Sequence, residues 1–523
     1  MRSSKMSRRS LFKSGAALAA AGVTSAVPEP LQAEPSRALE VGANLYQSIG
    51  VTPLVNCKGT FTIITGSQSL PEVKRAMEAA SHSYVHMDEL MDAVGQRLAD
   101  LTKSEWGMIT AGCAAALTHA TSACITGGDP EKMQRVPNLT GLKHEVVVPR
   151  YSRNEYDHAV RMLGVKMVEV ETAAEFEAAL GPQTAMVMIL SCPAAEKGEL
   201  SIPNACAIAR RKGVPVLVDA AAETLTTPSI HLQHGANLVA YSGGKCLRGP
   251  QAAGLLLGQK DLIKAAWINS APHHAFGRSL KVGKEEIMGM LAAVEMWVKR
   301  DHDAEWKQWQ SWLDNIAEQA TQVSGVTKEI LLPEDLSNHA PRLRLSWDAE
   351  KLGITGTEVQ DILLNGQPRI ILGDASGNRR DNRPSSITIM PYMMMPGDDK
   401  IAATAIHRVL SKPPHISVPA PETPGVDVSG EWVADLTFIA GSSQHHFSIQ
   451  QQDGKLSGTH KGDVLSGNLT GYVEGRRMVV RSAHHIEGTS LHYEFSGDVQ
   501  GDRVEGIVRL GEYGQAKWTG HKA

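Results

Sequence analysis

An aspartate and a lysine of complementary chemistry each follow a stretch of apolar, largely β-branched residues. Asp219 ends the run 214–219, and Lys245 closes the segment 242–245 (SGGK), directly after the run 237–241. A lysine amine can form an imine that exchanges with an amino substrate, and a carboxylate can keep a ring nitrogen protonated. The carboxyl ends of parallel strands share one edge of a sheet, where α/β folds bind their ligands. We therefore expect Asp219 and Lys245 to lie at such an edge.

A third segment, 110–114 (TAGCA), places small residues between a predicted strand and the helix that follows it. Small residues such as Gly112 and Cys113 at a helix start let backbone N–H groups approach a phosphate, and the helix dipole favours its charge. Ser242 can add a hydroxyl to this phosphate cup. Each signal is weak alone, because an aspartate at a strand end is often a helix cap and Gly-Gly-Lys is often a turn. Their order along the chain is much more specific.

The elements that must position these residues follow from the apolar pattern. Between residues 54 and 257, short β-branched runs alternate with helical patterns, which predicts a parallel sheet with crossover helices. The predicted strands are 106–110, 145–148, 165–170, 185–190, 214–219, 237–241 and 253–257. Helical patterns are found at 88–101, 284–298 and 304–322. Mixed strands and helices over 326–410 predict a smaller α/β domain.

The character of the chain changes beyond residue 426, where strands are broken by tight turns and no helical pattern remains. This predicts a small antiparallel β-domain, a meander, barrel or sandwich, joined through a semi-rigid proline-rich linker at 412–426. The pairs His445-His446 and His484-His485 suggest metal binding. Adjacent strand residues point to opposite faces, however, so neither pair can chelate through both rings. We expect exposed histidines and no metal site.

Length and composition limit the classes of protein. A chain of 523 residues is too long for one compact core, so two or three domains are expected. A net charge of −4 argues against a nucleic-acid partner. The sequence contains no run of eighteen apolar residues, so we expect no membrane span. The six cysteines lie mostly among small and aliphatic residues without metal-type spacing, which favours buried thiols.

The first residues have the features of an export signal. A twin-arginine pattern at 7–13 (SRRSLFK) precedes a mildly apolar stretch at 16–23, and small residues offer cleavage after Ala26 or Ala33. The twin-arginine route carries folded proteins, which suits an enzyme that loads a cofactor before export. We expect a periplasmic or extracellular protein with a signal over 1–33. The alternative is a basic start without a targeting role.

Several segments together resemble a known family. The segments 242–251 (SGGKCLRGPQ) and 218–223 (VDAAAE) resemble fold-type I pyridoxal-phosphate (PLP) enzymes related to bacterial selenocysteine synthase. The branch that includes D-glucosaminate-6-phosphate ammonia-lyase is more similar, through 85–90 (VHMDEL), 154–159 (NEYDHA) and 277–285 (GRSLKVGKE). The resemblance covers about residues 45–410. It implies a PLP-binding large domain over 40–322 and a small α/β domain over 323–411, with the β-domain at 427–523 outside it.

The resemblance also implies roles for the residues at the predicted sheet edge. Lys245 would hold PLP as a Schiff base, and Asp219 would hold the nitrogen of its ring. Gly112, Cys113 and Ser242 would bind its phosphate.

Further residues of the site are less well defined. An arginine should bind the substrate carboxylate, and Arg369 is similar to the position that does so in this fold type, while Arg248 and Arg153 compete with it. The family implies dimers or higher oligomers whose sites a neighbouring subunit completes, with Arg278 a candidate for that contact. Relatives often carry a ring-stacking histidine near the position of Ser152, so the stacking partner stays open in this chain.

The resemblance favours a dehydratase or ammonia-lyase that releases ammonia and a 2-keto acid. PLP labilises the Cα–H bond of an amino acid, and Lys245 is the natural base. Export speaks against a charged tRNA and against a phosphorylated substrate, so we expect an unphosphorylated hydroxylated amino acid or amino-sugar acid. A racemase, an aldolase or a transaminase would use the same lysine and aspartate. A binding protein on a degenerate PLP fold is a further alternative.

Overall fold

The computed structural model describes residues 39–377, 379, 384–416 and 422–523. The chain divides into two units, residues up to Leu54 and residues from Val55 onwards, and the described part of the first contains the 3-10 turn Gln47–Ile49. The predicted signal at 1–33 lies outside the described residues, as does part of the predicted linker at 412–426. No helix of the described residues is long and apolar enough to cross a membrane.

The part of the second unit that precedes residue 321 alternates strands and helices. Its strands are β1 (Val55–Cys57), β2 (Trp106–Thr110), β3 (Glu145–Pro149), β4 (Lys166–Val170), β5 (Thr184–Leu190), β6 (Val216–Asp219), β7 (Leu238–Ser242) and β8 (Gly254–Gly258). Its helices are α1 (Pro71–Ser81), α2 (Met87–Thr102), α3 (Gly112–Thr126), α4 (Pro130–Arg135), α5 (His158–Arg161), α6 (Ala173–Ala179), α7 (Ile202–Arg211), α8 (Ile230–Gln233), α9 (Lys260–Ile268), α10 (Lys284–Lys299) and α11 (His302–Ala320). The predicted strands and long helices begin and end within about two residues of these bounds.

Seven of these strands form one sheet in the order β2-β8-β7-β6-β5-β3-β4. Strands β3 to β7 are parallel to their neighbours in this group, but β8 runs antiparallel to both β7 and β2. The prediction of an all-parallel sheet was therefore wrong for β8. The segment between β7 and β8 contains no helix that could carry the chain back across the sheet, so β8 must return in the opposite direction.

A smaller α/β layer follows. It contains β9 (Thr327–Leu331), β10 (Arg342–Trp347), α12 (Ala349–Leu352), α13 (Gly356–Asn365), β11 (Ile370–Leu372), β12 (Ala375–Ser376), β13 (Ser385–Ile389) and α14 (Asp398–Ser411). The sheet order is β12-β13-β10-β9, and β11 pairs in parallel with β1. The layer has its own hydrophobic core, to which α11 and α14 both contribute. Together with the seven-stranded sheet, this is the fold-type I PLP architecture that the resemblance implied.

The C-terminal strands close into an eight-stranded antiparallel barrel. They are β14 (Gly430–Thr437), β15 (Ser442–Gln452), β16 (Lys455–Lys461), β17 (Ser466–Glu474), β18 (Arg477–Ile486), β19 (Thr489–Gln500), β20 (Arg503–Arg509) and β21 (Gln515–Lys522). Each strand pairs with the next, and β21 returns to β14. Alternate residues fill the interior, where Trp432, Phe447, Phe495 and Trp518 form the core. The prediction of an all-β domain is confirmed, and closure removes the edge strands.

The histidine pairs alternate between the two faces of the barrel wall, but the prediction that they are exposed was wrong for one ring of each pair. His446 and His485 are exposed, whereas His445 and His484 are buried inside the barrel. There His445 Nδ1 lies 2.7 Å from His460 Nε2, and His484 Nε2 lies 3.0 Å from His460 Nδ1. Hydrogen bonds among the three rings offset part of the cost of burying them. Across the described ranges, no group of three or more His, Cys, Asp or Glu is arranged to hold a metal ion.

Candidate active site

The edge of the seven-stranded sheet brings together the residues that the sequence singled out. Asp219 ends β6, Ser242 ends β7, and Gly112 begins α3 just after β2. The Cys113 Sγ lies 3.7 Å from Asp219 Oδ1. Lys245 lies close enough to lower the pKa of both the carboxyl and the thiol. These five residues come together at one sheet edge, although they are spread along the sequence from Gly112 to Lys245.

Asp219 is a buried carboxyl group of the site. Its side chain is 2% exposed, and this burial raises the pKa of the carboxyl. The backbone N–H of Ala221, which donates to Oδ1 over 3.1 Å, and the nearby Lys245 ammonium act in the opposite direction. A buried carboxylate in this position gains from any cation placed against it. A protonated ring nitrogen is such a cation.

Lys245 is presented by a tight loop between β7 and β8. Gly249 N–H donates to the Gly243 carbonyl over 2.8 Å, and Arg248 N–H donates to the Lys245 carbonyl over 3.0 Å. Arg248 adopts a left-handed backbone conformation with φ of +52°, which is rare for residues with a side chain and marks local strain. Lys245 itself is half-buried, and its ammonium donates no hydrogen bond within the described chain. The amine is therefore available to react with a ligand.

The start of α3 leaves open space at the same edge. Gly112 has a φ of +78°, and no atom lies within 4 Å of the position that a Cβ would take there. Directly below, a Cβ on Gly254 would lie 2.4 Å from the Gly112 carbonyl carbon, so β8 requires glycine for the helix start to sit this close. The first N–H groups of a helix lack partners within the helix. This cup of free donors suits the phosphate of a ligand.

Comparisons with known proteins agree with this geometry. The profile of the Cys/Met metabolism PLP-dependent enzymes matches residues 51–278. D-glucosaminate-6-phosphate ammonia lyase of Salmonella typhimurium (strain 14028s / SGSC 2262) is 30% identical over 335 residues, covering 62% of this chain and 88% of that protein. The chain belongs to the family of PLP-dependent enzymes that contains this ammonia lyase. A solved structure of D-glucosaminate-6-phosphate ammonia-lyase superposes on 71% of this chain and 99% of its own with a TM-score of 0.62 and 27% identity.

Other members of the family carry different activities in their names. The 5'-C-glycyluridine monooxygenase-decarboxylase of a Streptomyces species is 28% identical over 341 residues, covering 63% of this chain and 84% of that protein. An L-seryl-tRNA(Sec) selenium transferase of Rhizobium meliloti (strain 1021) is 32% identical, but over 36% of this chain and 44% of its own. Membership of the family therefore establishes PLP as the cofactor, but the family includes more than one reaction.

The sheet edge fits this cofactor on its own geometry. It offers an amine without a hydrogen-bond partner in the described chain at Lys245, a buried carboxylate at Asp219, and open space over the free N–H groups at Gly112 and Cys113. Ser242 lies opposite Gly254 in the β7–β8 register, and Gly254 packs against Gly112, so the serine belongs to the same corner. An imine-forming amine, a carboxylate that accepts from a protonated ring nitrogen and a phosphate cup are three features suited to binding PLP.

The three candidate substrate arginines make contacts of different kinds within the chain. Arg153 Nε lies 2.6 Å from Asp157, and the same guanidinium also pairs with Glu169 and, at 2.5 Å, with Glu487 of the barrel. Three carboxylates leave it little capacity for a substrate, so its predicted role is not supported by its contacts. Arg369 precedes β11 and its Nε donates to the Leu364 carbonyl over 3.1 Å.

Arg248 braces the lysine loop against an earlier segment of the chain. Its Nε donates to the Gln68 carbonyl over 3.1 Å, and its own carbonyl accepts from Leu70 N–H over 3.0 Å. Its side chain lines a cavity together with Trp297, Arg300 and Tyr392, and neither Lys245 nor Asp219 lines this cavity. Binding of the substrate carboxylate stays a prediction for Arg369 and Arg248.

Two further residues of the predicted site have clear surroundings. Arg278 is exposed, which leaves it accessible to a neighbouring subunit. Ser152, near which the resemblance led us to look for a stacking residue, is buried, and its Oγ accepts the N–H of Leu190 over 3.0 Å. Ser152 therefore serves the backbone of β5.

Sequence reasoning gave no role to Tyr156 or to Glu223, although both lie within quoted motifs. Burial, Glu155 and Asp219 all raise the pKa of Tyr156, which places its ring within electrostatic reach of the site. The Glu223 carboxylate is buried and accepts from Ser191 Oγ, while His231 Nε2 lies 2.5 Å from it. No spacing rule links residues 191, 223 and 231, so only the fold could reveal this network.

Proposed function

We propose that the protein is a PLP-dependent lyase that eliminates a β-hydroxyl group from a hydroxylated amino acid or amino-sugar acid. The observation that carries this proposal is the 30% identity with an ammonia lyase across 88% of that protein, in a chain whose Lys245 and Asp219 both follow strands at one edge of the sheet. The products would be ammonia and a 2-keto acid. PLP, when bound, supplies the electron sink that acidifies the Cα–H bond.

Lys245 has the central role in this proposal, because its amine can take a proton from Cα of the substrate. The bond between Cβ and its hydroxyl then breaks, and the hydroxide leaves with a proton as water. Addition of water to the released enamine yields the keto acid and ammonium, so one water is lost and one is added. Asp219 would hold its negative charge against the cofactor nitrogen, and its burial would limit screening of that interaction by solvent.

The reaction is tested by incubating purified holoprotein with a panel of 2-amino-3-hydroxy acids and amino-sugar acids in deuterated water. We expect 2-keto acid and ammonia in equal amounts, with deuterium in the product, and neither from the Lys245→Ala variant. Cα exchange and inversion without ammonia would instead identify a racemase, and the lyase proposal would be wrong.

A second candidate is oxidative decarboxylation, favoured by the 28% identity with a monooxygenase-decarboxylase across 84% of that protein. The two reactions differ in their need for oxygen and in the fate of the carboxylate. Repeating the assay without oxygen separates them, because elimination continues and releases no carbon dioxide. Turnover that stops without oxygen and releases carbon dioxide would favour the decarboxylase.

We further propose that the twin-arginine segment exports the folded protein and that the active form is a homodimer or larger. The support for export is the pattern at 7–13, and the support for oligomers is the family resemblance together with the exposed Arg278. Export favours an unphosphorylated substrate. Replacing Arg8 and Arg9 with lysines should retain the protein in the cytoplasm, as measured by cell fractionation, and light scattering should give at least twice the chain mass.

A further inference from the structure

A hairpin turn of the barrel lies against the cofactor-binding part of the molecule. Glu487 and Gly488 connect β18 to β19, and they lie against the loop that follows β3. A Cβ added to Gly488 would lie 2.0 Å from the Asn154 carbonyl oxygen and 2.7 Å from its nitrogen. Only glycine allows this approach, so the turn is fitted to the loop backbone.

A cluster of charges fixes the same contact. Arg153 is nearly buried, with 9% of its side chain exposed, and its Nη2 lies 2.5 Å from a Glu487 carboxylate oxygen. The guanidinium also holds the fully buried Asp157, which in turn accepts from Arg161 Nε over 2.8 Å. Ion pairs of this kind are strongest where burial limits screening by water. The barrel therefore supplies one carboxylate of a network that orders the loop 150–157.

This loop reaches the cofactor-binding edge by two short routes. Ser152 accepts the N–H of Leu190, and Leu190 is the register partner of Asp219 in the adjacent strands β5 and β6. Tyr156 lies on the loop within electrostatic reach of Asp219, and Glu512 of the barrel acts on the same ring. The loop thus connects barrel residues to the carboxylate that would hold the ring nitrogen.

We propose that the barrel is a positioning element of the active site and that Glu487 is its positioning residue, acting through Arg153 on the loop 150–157. The proposal rests on the proposed function only in assigning PLP to Lys245 and Asp219. The ammonia-lyase structure is covered over 99% of its length by 71% of this chain, so the family fold is complete without a large part of this chain. We therefore expect the barrel to influence the geometry of the active site. An independent unit joined by a linker would have no such contact.

The test compares charge and shape changes at the turn. Glu487→Lys sets a like charge against Arg153, and Gly488→Ala separates the turn from Asn154 without altering charge. We expect each to raise the dissociation constant of PLP about tenfold, a typical size for coupling between separate sites, and to change the circular-dichroism band of the bound cofactor, because each disturbs the loop 150–157 at Arg153 or Asn154. Glu487→Asp, which keeps the charge, should restore most of the affinity.

Matched controls separate positioning from general damage. Glu494→Lys breaks ion pairs with Arg481 and Arg509 that lie within the barrel, and Gly181→Ala adds a Cβ where no atom lies within 4 Å. Both should bind PLP as the wild type does. Wild-type affinity and dichroism in Glu487→Lys and Gly488→Ala would overturn the proposal, and so would equal losses in the controls. PLP binding is measured without substrate, so this result can be interpreted even if the protein proves not to be a lyase.

Discussion

The sheet edge and the barrel interior both bury ionisable side chains, yet they treat them in different ways. At the sheet edge, burial raises the pKa of Asp219 while Lys245 provides the opposite charge. The lysine amine donates no hydrogen bond among the residues described. A charged group with unused hydrogen-bonding capacity is incomplete without a ligand.

In the barrel, four of the six ring nitrogens of the three buried histidines have hydrogen-bond partners within the barrel itself. His460 stands between His445 and His484, and its Nδ1 also lies 2.7 Å from Ser482 Oγ. Burial and the two neighbouring rings lower the pKa of His460 to about 3, so the chain of rings is neutral at pH 7. Burial of ionisable residues therefore does not by itself mark a functional site. The difference lies in whether the partners are already present in the chain.

The largest effect should come from removing the lysine at the sheet edge. Lys245→Ala should lose visible absorbance of the bound cofactor and reduce turnover by about 10⁴-fold, since both the covalent link and the base are lost. Barrel stability should not change. Borohydride reduction of the wild type, followed by peptide mapping, should find the cofactor on Lys245, and trapping on Lys260 or Lys281 would show that the site is assigned wrongly.

Asp219→Asn should have the next largest effect. The amide keeps the shape and the contact with Cys113 but cannot hold a ring nitrogen protonated, so PLP should bind while kcat falls about 10²- to 10³-fold. Steady-state kinetics and a PLP titration on the same preparation measure the two quantities. Near-normal kcat would exclude the electrostatic role of the carboxylate.

Acid should weaken the barrel more than the large domain, because the barrel buries three histidines of lowered pKa whereas burial in the large domain lowers the pKa of His119, to about 4. The folded pKa of His460 is about 3, below the unfolded value of 6.5, and burial also lowers the pKa of His445 and His484. The unfolded barrel therefore binds more protons, so its stability should fall as pH drops from about 6.5 towards 3, by roughly 1.4 kcal/mol per pH unit from His460 alone, and His445 and His484 act in the same direction.

The same acidification acts in the opposite direction at the sheet edge, where the pKa of Asp219 is raised in the cofactor-free protein. Pulse proteolysis at pH 7 and pH 4.5, with cleavage sites mapped by mass spectrometry, should show new cuts between residues 422 and 523 first. Cuts that begin around the seven-stranded sheet would contradict this difference between the two regions.

The smallest effect should follow Ser482→Ala. This change removes one hydrogen-bond partner of His460, and the barrel should lose about 1 kcal/mol of unfolding free energy. PLP affinity should stay unchanged, because the turn at Glu487 and its contact with Arg153 are untouched. Urea unfolding followed by pulse proteolysis measures the first quantity, and a cofactor titration measures the second. A weaker cofactor affinity would mean that the interior of the barrel, and not only its turn, is coupled to the sheet edge.

The sequence by itself determined the elements and the chemical residues of the sheet edge. Strand and helix periods are local, so their bounds in the large domain could be read to within about two residues. Asp219 and Lys245 could be placed at one edge because each follows a strand, and strands in one parallel group end together. The alternation within the barrel strands was equally local, and it correctly set His445 and His446 on opposite faces.

Only the tertiary structure decided which distant residues meet. The antiparallel direction of β8 depends on a connection without a crossover helix, and the burial of His460 between two other rings depends on how β15, β16 and β18 close into the barrel. The pair Arg153 and Glu487 joins residues 334 positions apart. Such contacts leave no periodic signal in the sequence, because they arise when separate elements pack together. The apolar pattern of an element shows which of its faces is buried, but it does not show which other element covers that face.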